Sequence, residues 1–235
     1  MTVRVAVTTT AGRAADRIIA LSEGCGLVPV LLPCIRVEPA ADGVLDELRA
    51  AAESADWIVV TSPRAVEIVW PEAAMPSRPA TAAVGATTAD AVRRAGGAVA
   101  LSGSGGAASL RELLDGRVGG TAAVFPHARG ADGTMARWLA QHCSHLVAAA
   151  VYATESLAPA GDPVDAVIFG SPSAVAGWRK SRGLSGIVVA AMGPTTAAYL
   201  ESVGRPPDVV PGSPGAAAIV EAVAAHVASN ERHAS

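Results

Sequence analysis

The stretch AVGATTADAVRRAGG, Ala83 to Gly97, is written a second time as AAMGPTTAAYLESVG, Ala190 to Gly204. Each copy runs from an apolar, strand-like segment into Gly-X-Thr-Thr, then about three helical turns, then glycine in the position of a helix C-cap. A second pair flanks the first: DWIVVTSPRAVEIVW from Asp56 and DAVIFGSPSAVAGWR from Asp165. Ser171 follows Ser62 by 109 residues and Gly193 follows Gly85 by 108. Two linked matches at one offset imply two similar domains.

Outward from these copies, apolar runs of four to eight residues alternate with helical segments, the pattern of parallel sheets covered by helices. From Asp56 the order is WIVVT, helix, TAAVG, helix, AVALSG, helix, TAAVFP, helix, HLVAAAVY. From Asp165 it is AVIFG, helix, IVVAAMG, helix, DVVPGS, helix, and the chain ends with the series two strands short. The opening of the chain supplies them, because VRVAV with its helix and LVPVLLP compare with TAAVFP, its helix and HLVAAAVY. One α/β domain is therefore expected from residues 1–37 with 157–235, and a second, inserted, from 39–152. The chain would cross between them at IRVEP and YATES, a two-stranded linker with a cleft between the domains. DGVLDELRAAAES adds a helix to the inserted domain, and LAPAGDPVD, in the matching place, is expected to be a loop.

Composition narrows the function. Of the 235 residues, 51% are hydrophobic and only 3% aromatic, so the core must be built largely from Ala and Val packed closely. The net charge of −3 lacks the basic excess of a nucleic-acid-binding surface. No segment reads as a signal peptide or a membrane span, and the expected location is the cytoplasm. Cys25, Cys34 and Cys143 form no C-x-x-C pair, so neither a disulfide framework nor a zinc site is signalled. His142, Cys143 and His145 cluster without further ligands nearby in sequence, and no metal is expected.

Chemistry in such sheets gathers at the carboxyl ends of the strands, where all the repeated motifs fall. Ser62, Ser171 and Ser173 stand before or inside helix starts with proline in the first turn, and Thr88, Thr195 and Thr196 follow the Gly-X turns. N-capping accounts for each one singly; four such starts together would also offer N–H groups and hydroxyls to anions. In HARGADG, Arg129 and Gly130 sit between a strand and a helix, where a cation can meet a carboxylate. SGSGG, Ser102 to Gly106, lacks dinucleotide-binding spacing and reads as a loop. Trp57, Trp70, Trp138 and Trp178 read as core or boundary residues.

The ordered set VVTSPRAV, AVGATTADAVRRAGG, HARGADG, VYATES, AVIFGSPSAV and MGPTTAAYLESVG resembles the uroporphyrinogen-III synthase family across almost the whole chain. The resemblance implies two flavodoxin-like parallel-sheet domains joined by a two-stranded linker, one of them discontinuous. It implies a lyase of porphyrin, tetrapyrrole and heme biosynthesis that closes hydroxymethylbilane to uroporphyrinogen III, inverting the last pyrrole ring and losing water. No metal or organic cofactor, no nucleic acid and no membrane is implied; the partner is the tetrapyrrole substrate, and the protein is expected to be a monomer. Tyr152 in VYATES matches the family's tyrosine and is the expected catalytic residue. Ser62, Thr88, Arg129, Gly130, Ser171, Ser173, Thr195 and Thr196 are the expected substrate-binding residues. Two positions depart from the family pattern: Thr9, where an arginine is usual, and Arg64, where a small or amide residue is common. A non-catalytic two-domain protein closing on an anion or tetrapyrrole is the alternative reading of the same motifs.

Overall fold

The computed structural model describes residues 2–104, 106–213 and 215–233. In chain order it runs β1 (Arg4–Val7), α1 (Arg13–Gly24), β2 (Val28–Leu31), β3 (Ile35–Pro39), α2 (Asp42–Ser54), β4 (Trp57–Val60), α3 (Pro63–Val69) and β5 (Ala80–Ala83). It continues with α4 (Ala86–Arg94), β6 (Val99–Ser102), α5 (Ala107–Leu114), β7 (Ala122–Ala128), α6 (Thr134–His142) and β8 (His145–Ser156). The last elements are β9 (Ala166–Phe169), α7 (Pro172–Trp178), β10 (Val188–Ala191), α8 (Pro194–Ser202) and α9 (Ala216–His233). The chain divides into two compact units: Glu38–Ala153, and the residues up to Val37 taken with those from Thr154 onward.

In the discontinuous unit the sheet order is β10-β9-β1-β2, with β1 parallel to β2 and β9, and β9 parallel to β10. In the inserted unit it is β3-β8-β7-β4-β5-β6. When β7 and β8 are set against β1 and β2, both sheets follow the doubly wound order 2-1-3-4, extended by β6 as a fifth strand in the inserted unit. The inserted copy is thus a circular permutant, starting at its third strand. Its extra edge strand, β3, neighbours β8, and these two strands carry the chain across both unit boundaries.

The aspartates that open the repeat copies hold the two sheets in the same way. Asp56 Oδ2 accepts the Ala122 N–H at 2.8 Å while the Asp56 N–H donates to Ala122 O at 2.9 Å. Asp165 and Arg4 make the same exchange at 2.8 and 2.9 Å. Each pair pins the start of a first strand to the start of a third. Helix ends are duplicated too. Gly96 (φ +85) and Gly204 (φ +78) adopt the left-handed conformation favoured by glycine. Around them Gly97 N–H reaches Val92 O and Arg205 N–H reaches Leu200 O, the long bond of a Schellman motif.

Side-chain alternation divides the discontinuous unit's core between two faces of its sheet. Ala6, Val167, Phe169 and Val189 face α7 and α8 and pack with Val175, Trp178 and Leu200. Val5, Val7, Ile168 and Ala190 face α1 and α9 and pack with Ile18, Ile219 and Val223. In the inserted unit, Val59, Ala82 and Phe125 pack with Leu110 and Leu114 of α5 and Leu139 of α6. Trp70 and Trp178 are fully buried, whereas Trp57 and Trp138 pack against the edge of that last cluster.

One expected strand is absent. DVVPGS forms only a bridge, Ala190 to Val209, because Pro206, Pro207 and Pro211 leave just three consecutive N–H donors. The Asp208 carboxylate compensates by accepting the Val189 N–H at 2.7 Å. Residues 157–165 form no helix or strand, and α2 covers 42–54. The SGSGG stretch includes Gly105, which lies outside the described residues.

Candidate active site

Tyr152 lies near the end of β8, and an irregularity in the strand sets its direction. The β7–β8 register runs Pro126 with Ala149 and His127 with Ala150, then slips so that Ala128 faces Tyr152. The extra residue, Val151, turns its carbonyl to the Ala40 N–H at 2.9 Å. A one-residue slip moves every later side chain to the other face of a strand. The Tyr152 carbonyl is then fixed by the Arg129 N–H at 2.7 Å. The residue is 7% exposed.

The phenol meets two side chains from the TSPR turn between β4 and α3. Ser62 Oγ and Tyr152 Oη lie 3.1 Å apart, a hydroxyl pair in which either can donate. The Arg64 guanidinium stands over the tyrosine ring, 5.7 Å from its centroid, a cation–π arrangement. Pro63 occupies the first helical position, where it costs no hydrogen bond and fixes the turn between these residues. Arg64 was legible in the sequence only as a departure from a pattern; its meeting with Tyr152, eighty-eight positions on, was not legible.

The other expected site residues separate into distinct settings. Ser171 is a helix cap: its Oγ accepts the Ala174 N–H at 3.3 Å. Ser62, at the same position in its copy, makes no cap bond. Ser173 is half-buried, and its carbonyl accepts Ser156 Oγ at 2.8 Å. Thr88 and Thr196 are each 3% exposed, in the third position of their helices. The open hydroxyls at these helix starts belong to Thr87 and Thr195. Gly85 (φ 178) and Gly193 (φ −165) are in extended backbone, so the Gly-X-Thr-Thr turns do not require glycine for conformation. Arg129 and Gly130 are exposed, with Gly130 left-handed at φ +80.

Asp132, missed in the sequence, organises the start of α6. Its Oδ1 accepts the Thr134 N–H at 2.9 Å. The backbone and side-chain hydrogen bonds of Thr134 hold its carboxyl below the usual carboxylate range. The spacing D-G-T carried that signal, since aspartate two residues before a helical N–H is a common turn-and-cap arrangement.

Away from this edge the remaining candidates are structural. His142 stacks on Trp138 with centroids 4.2 Å apart and bonds through Nδ1 to the Trp138 carbonyl at 2.7 Å. Among the described residues no group of three or more His, Cys, Asp or Glu could hold a metal. Burial pushes the Cys34 thiol up to about 12 despite the nearby Arg182 charge, and its Sγ donates to Leu32 O at 3.3 Å. Two shallow surface concavities, one of about 230 Å³ beside Trp178 and Arg182 and one of about 300 Å³ beside Trp138 and His142, include none of the strand-end residues. No helix among the described residues is long and apolar enough to cross a membrane.

Comparison with known proteins bears on this arrangement. The family model described as HEM4, uroporphyrinogen-III synthase HemD, matches residues 16–221. A mutant uroporphyrinogen III synthase from the extremely thermophilic bacterium Thermus thermophilus superposes with a TM-score of 0.64 at 21% identity, over 97% of this chain and 100% of that one. The wild-type Thermus enzyme in another crystal form gives 0.52 at 20% identity, over 98% and 100%. Uroporphyrinogen-III synthetase from Helicobacter pylori gives 0.63 at 16% identity, over 96% and 99%. At these identities the structures establish a shared fold. No curated protein matches the chain.

Proposed function

The chain belongs to the uroporphyrinogen-III synthase family, and we propose that it performs that family's reaction through proton transfer centred on Tyr152. It is a lyase of porphyrin biosynthesis: linear hydroxymethylbilane loses its terminal hydroxyl as water and closes with the last pyrrole ring inverted, giving uroporphyrinogen III. The bilane brings its own leaving group and its own nucleophilic ring carbon. What the protein must add is a proton at the departing oxygen and a hold on the chain that disfavours closure without inversion.

The observation that carries this reading is the cluster of Tyr152, Ser62 and Arg64 at the carboxyl edge of one sheet. Burial of Tyr152 as a residue, 7% exposed, limits the bulk water around its ring. As the carbon–oxygen bond breaks, Tyr152 Oη gives its proton to the leaving hydroxyl, and water departs. The proton shed by the ring carbon that forms the new bond restores the phenol, so the cycle needs no other reagent. Arg64, over the ring face, is placed to offset the negative charge left on the phenol in between.

For the carboxylates of the bilane we assign the exposed and half-buried groups of the strand ends. Arg129 and Gly130 follow β7, Thr195 opens α8, and Ser171 and Ser173 open α7. At the starts of α4 and α8 the free backbone N–H groups beside Thr88 and Thr196 act in place of those buried hydroxyls. Such contacts let a chain with net charge −3 hold a polyanion. In this reading the protein works as a monomer in the cytoplasm.

Freshly made hydroxymethylbilane, incubated with the purified protein and analysed as oxidised porphyrin isomers, tests the proposal. The wild type yields the type III isomer. Tyr152→Phe keeps the ring and removes the hydroxyl, and slows turnover by about 10² to 10⁴, the usual contribution of a positioned acid; type I then rises from uncatalysed closure. A wild type giving only type I refutes the activity. A Phe variant with normal rate and isomer purity refutes the acid role alone.

A further inference from the structure

We infer that Ser62 is a positioning residue for Tyr152: the serine hydroxyl donates to Oη and leaves the phenolic proton directed at the substrate. The inference rests on the acid role assigned to Tyr152 above and adds the group that orients it.

The repeat supplies an internal comparison. Ser62 and Ser171 occupy the same place in the two copies, each before Pro at the first helical position and each in extended backbone, φ −149 and −160. Ser171 does what serine at a helix start ordinarily does and accepts the Ala174 N–H. Ser62 leaves the corresponding N–H and lies 3.1 Å from the phenol oxygen instead. The strand end that matches Tyr152 in the other copy, Leu27 to Ile35, contains no tyrosine. Where no phenol is at hand the serine caps; where one is present it abandons the cap.

Two hydroxyls 3.1 Å apart share one hydrogen between them. Were Tyr152 the donor, its proton would be spent on Ser62 and unavailable to a leaving group. Among the described residues Ser62 Oγ has no partner besides Tyr152 Oη, so donation to the phenol is the one hydrogen bond its own proton can make to them. That direction leaves Tyr152 with a free proton. It also keeps a donor on the oxygen as that oxygen becomes negative, an interaction that strengthens in the transition state and so acts on kcat more than on KM. Arg64 confines the ring from its face, and the serine fixes where the hydroxyl points.

The test measures kcat, KM and isomer ratio on hydroxymethylbilane for wild type, Ser62→Ala, Ser62→Gly, Ser62→Thr, Tyr152→Phe and the Ser62→Ala/Tyr152→Phe double variant. Ser62→Ala and Ser62→Gly are expected to lower kcat about two- to tenfold with KM unchanged, the range for one lost hydrogen bond. Ser62→Thr, which keeps the hydroxyl, recovers most of the rate. The double variant is no slower than Tyr152→Phe, because the serine acts only through the phenol. If Ser62→Ala raises KM at constant kcat, or the double variant multiplies the two losses, Ser62 meets substrate or acts independently and the inference is overturned. A silent Ser62→Ala beside a slow Tyr152→Phe overturns it while leaving the acid role standing. A silent Tyr152→Phe removes the acid role, and this inference with it.

Discussion

Glycine inside a helix is ordinarily a weak point that alanine repairs, and in this protein Gly43 and Gly177 should respond to that repair with opposite signs. At Gly177 in α7, an added Cβ would lie 2.1 Å from Cys34 O and 2.6 Å from Leu157 O, both backbone atoms. To bring the nearer contact even to 3.0 Å, the helix and the chain at Cys34 must part by 0.9 Å. That carbonyl already accepts the Leu157 N–H at 2.8 Å, so the displacement loosens the bond between the two chain segments as well. Overpacking costs about 1–3 kcal/mol and the weakened hydrogen bond about 0.5–1.5 kcal/mol. Alanine's helix propensity returns up to about 1 kcal/mol. The expected net loss for Gly177→Ala is about 0.5–4.5 kcal/mol, a fall in melting temperature of about 1–18 °C for a chain of this size. Gly43 in α2 has nothing within 4 Å of its added Cβ, and Gly43→Ala should gain about 0.5–1 kcal/mol. Thermal unfolding followed by far-ultraviolet circular dichroism reads both. A Gly177→Ala protein that melts at or above the wild type would refute the reasoning, since propensity alone would then decide the outcome.

The two repeat serines should differ in stability as they do in contacts. In the Tyr152→Phe background, where the hydroxyl pair with Ser62 is already gone, Ser171→Ala is expected to cost about 1 kcal/mol through its lost cap, and Ser62→Ala, which caps nothing, less than about half of that; equal losses in urea unfolding would contradict the assignment. Asp208 gives a pH signature. Burial raises its carboxyl, but the Arg205 side-chain bond and the Val189 N–H outweigh this and hold it below the usual range. A folded-state value below the unfolded one of about 3.9 means stability that is present above about pH 4 and is lost as pH falls through the folded value. Asp208→Asn should therefore be less stable at pH 7 and lose less melting temperature between about pH 5 and about pH 2.5; identical acid slopes for the two proteins would rule the linkage out.

The strand and helix series was legible because period, turn residues and the repeat agreed. α2 was readable as an extra helix before the repeat strand, and the permuted strand series of the discontinuous unit from the repeat register. DVVPGS misled because Val209 and Val210 resemble a strand in composition, while three prolines decide how many N–H donors remain. The threonine pairs were legible only as pairs. Which of two adjacent threonines is buried depends on whether a helix begins at one residue or the next, and at Thr87-Thr88 and Thr195-Thr196 it is the second that turns inward. Tyr152 could be named from its motif, but not its neighbours. Their meeting depends on a one-residue slip between His127 and Ala128, and no local pattern in β8 announces a bulge.

The duplication now has a physical reading. What the copies share is framework: the Asp56 and Asp165 exchanges that pin strand starts, the Gly96 and Gly204 helix ends, and proline after each serine. These hold a parallel sheet together whatever the loops above it do. What the copies do not share lies at the strand ends of the inserted unit: the bulge in β8, Tyr152, Arg64 and a serine released from capping. A helix as short as α3, Pro63–Val69, gives up one cap bond there, and its buried Ala65, Val66 and Val69 still secure it to the sheet. Packing thus bears the stability that the cap would have supplied, and the serine hydroxyl is available to Tyr152. The same Ser-Pro turn caps a helix in one unit and meets Tyr152 in the other because only one of them places a phenol within reach.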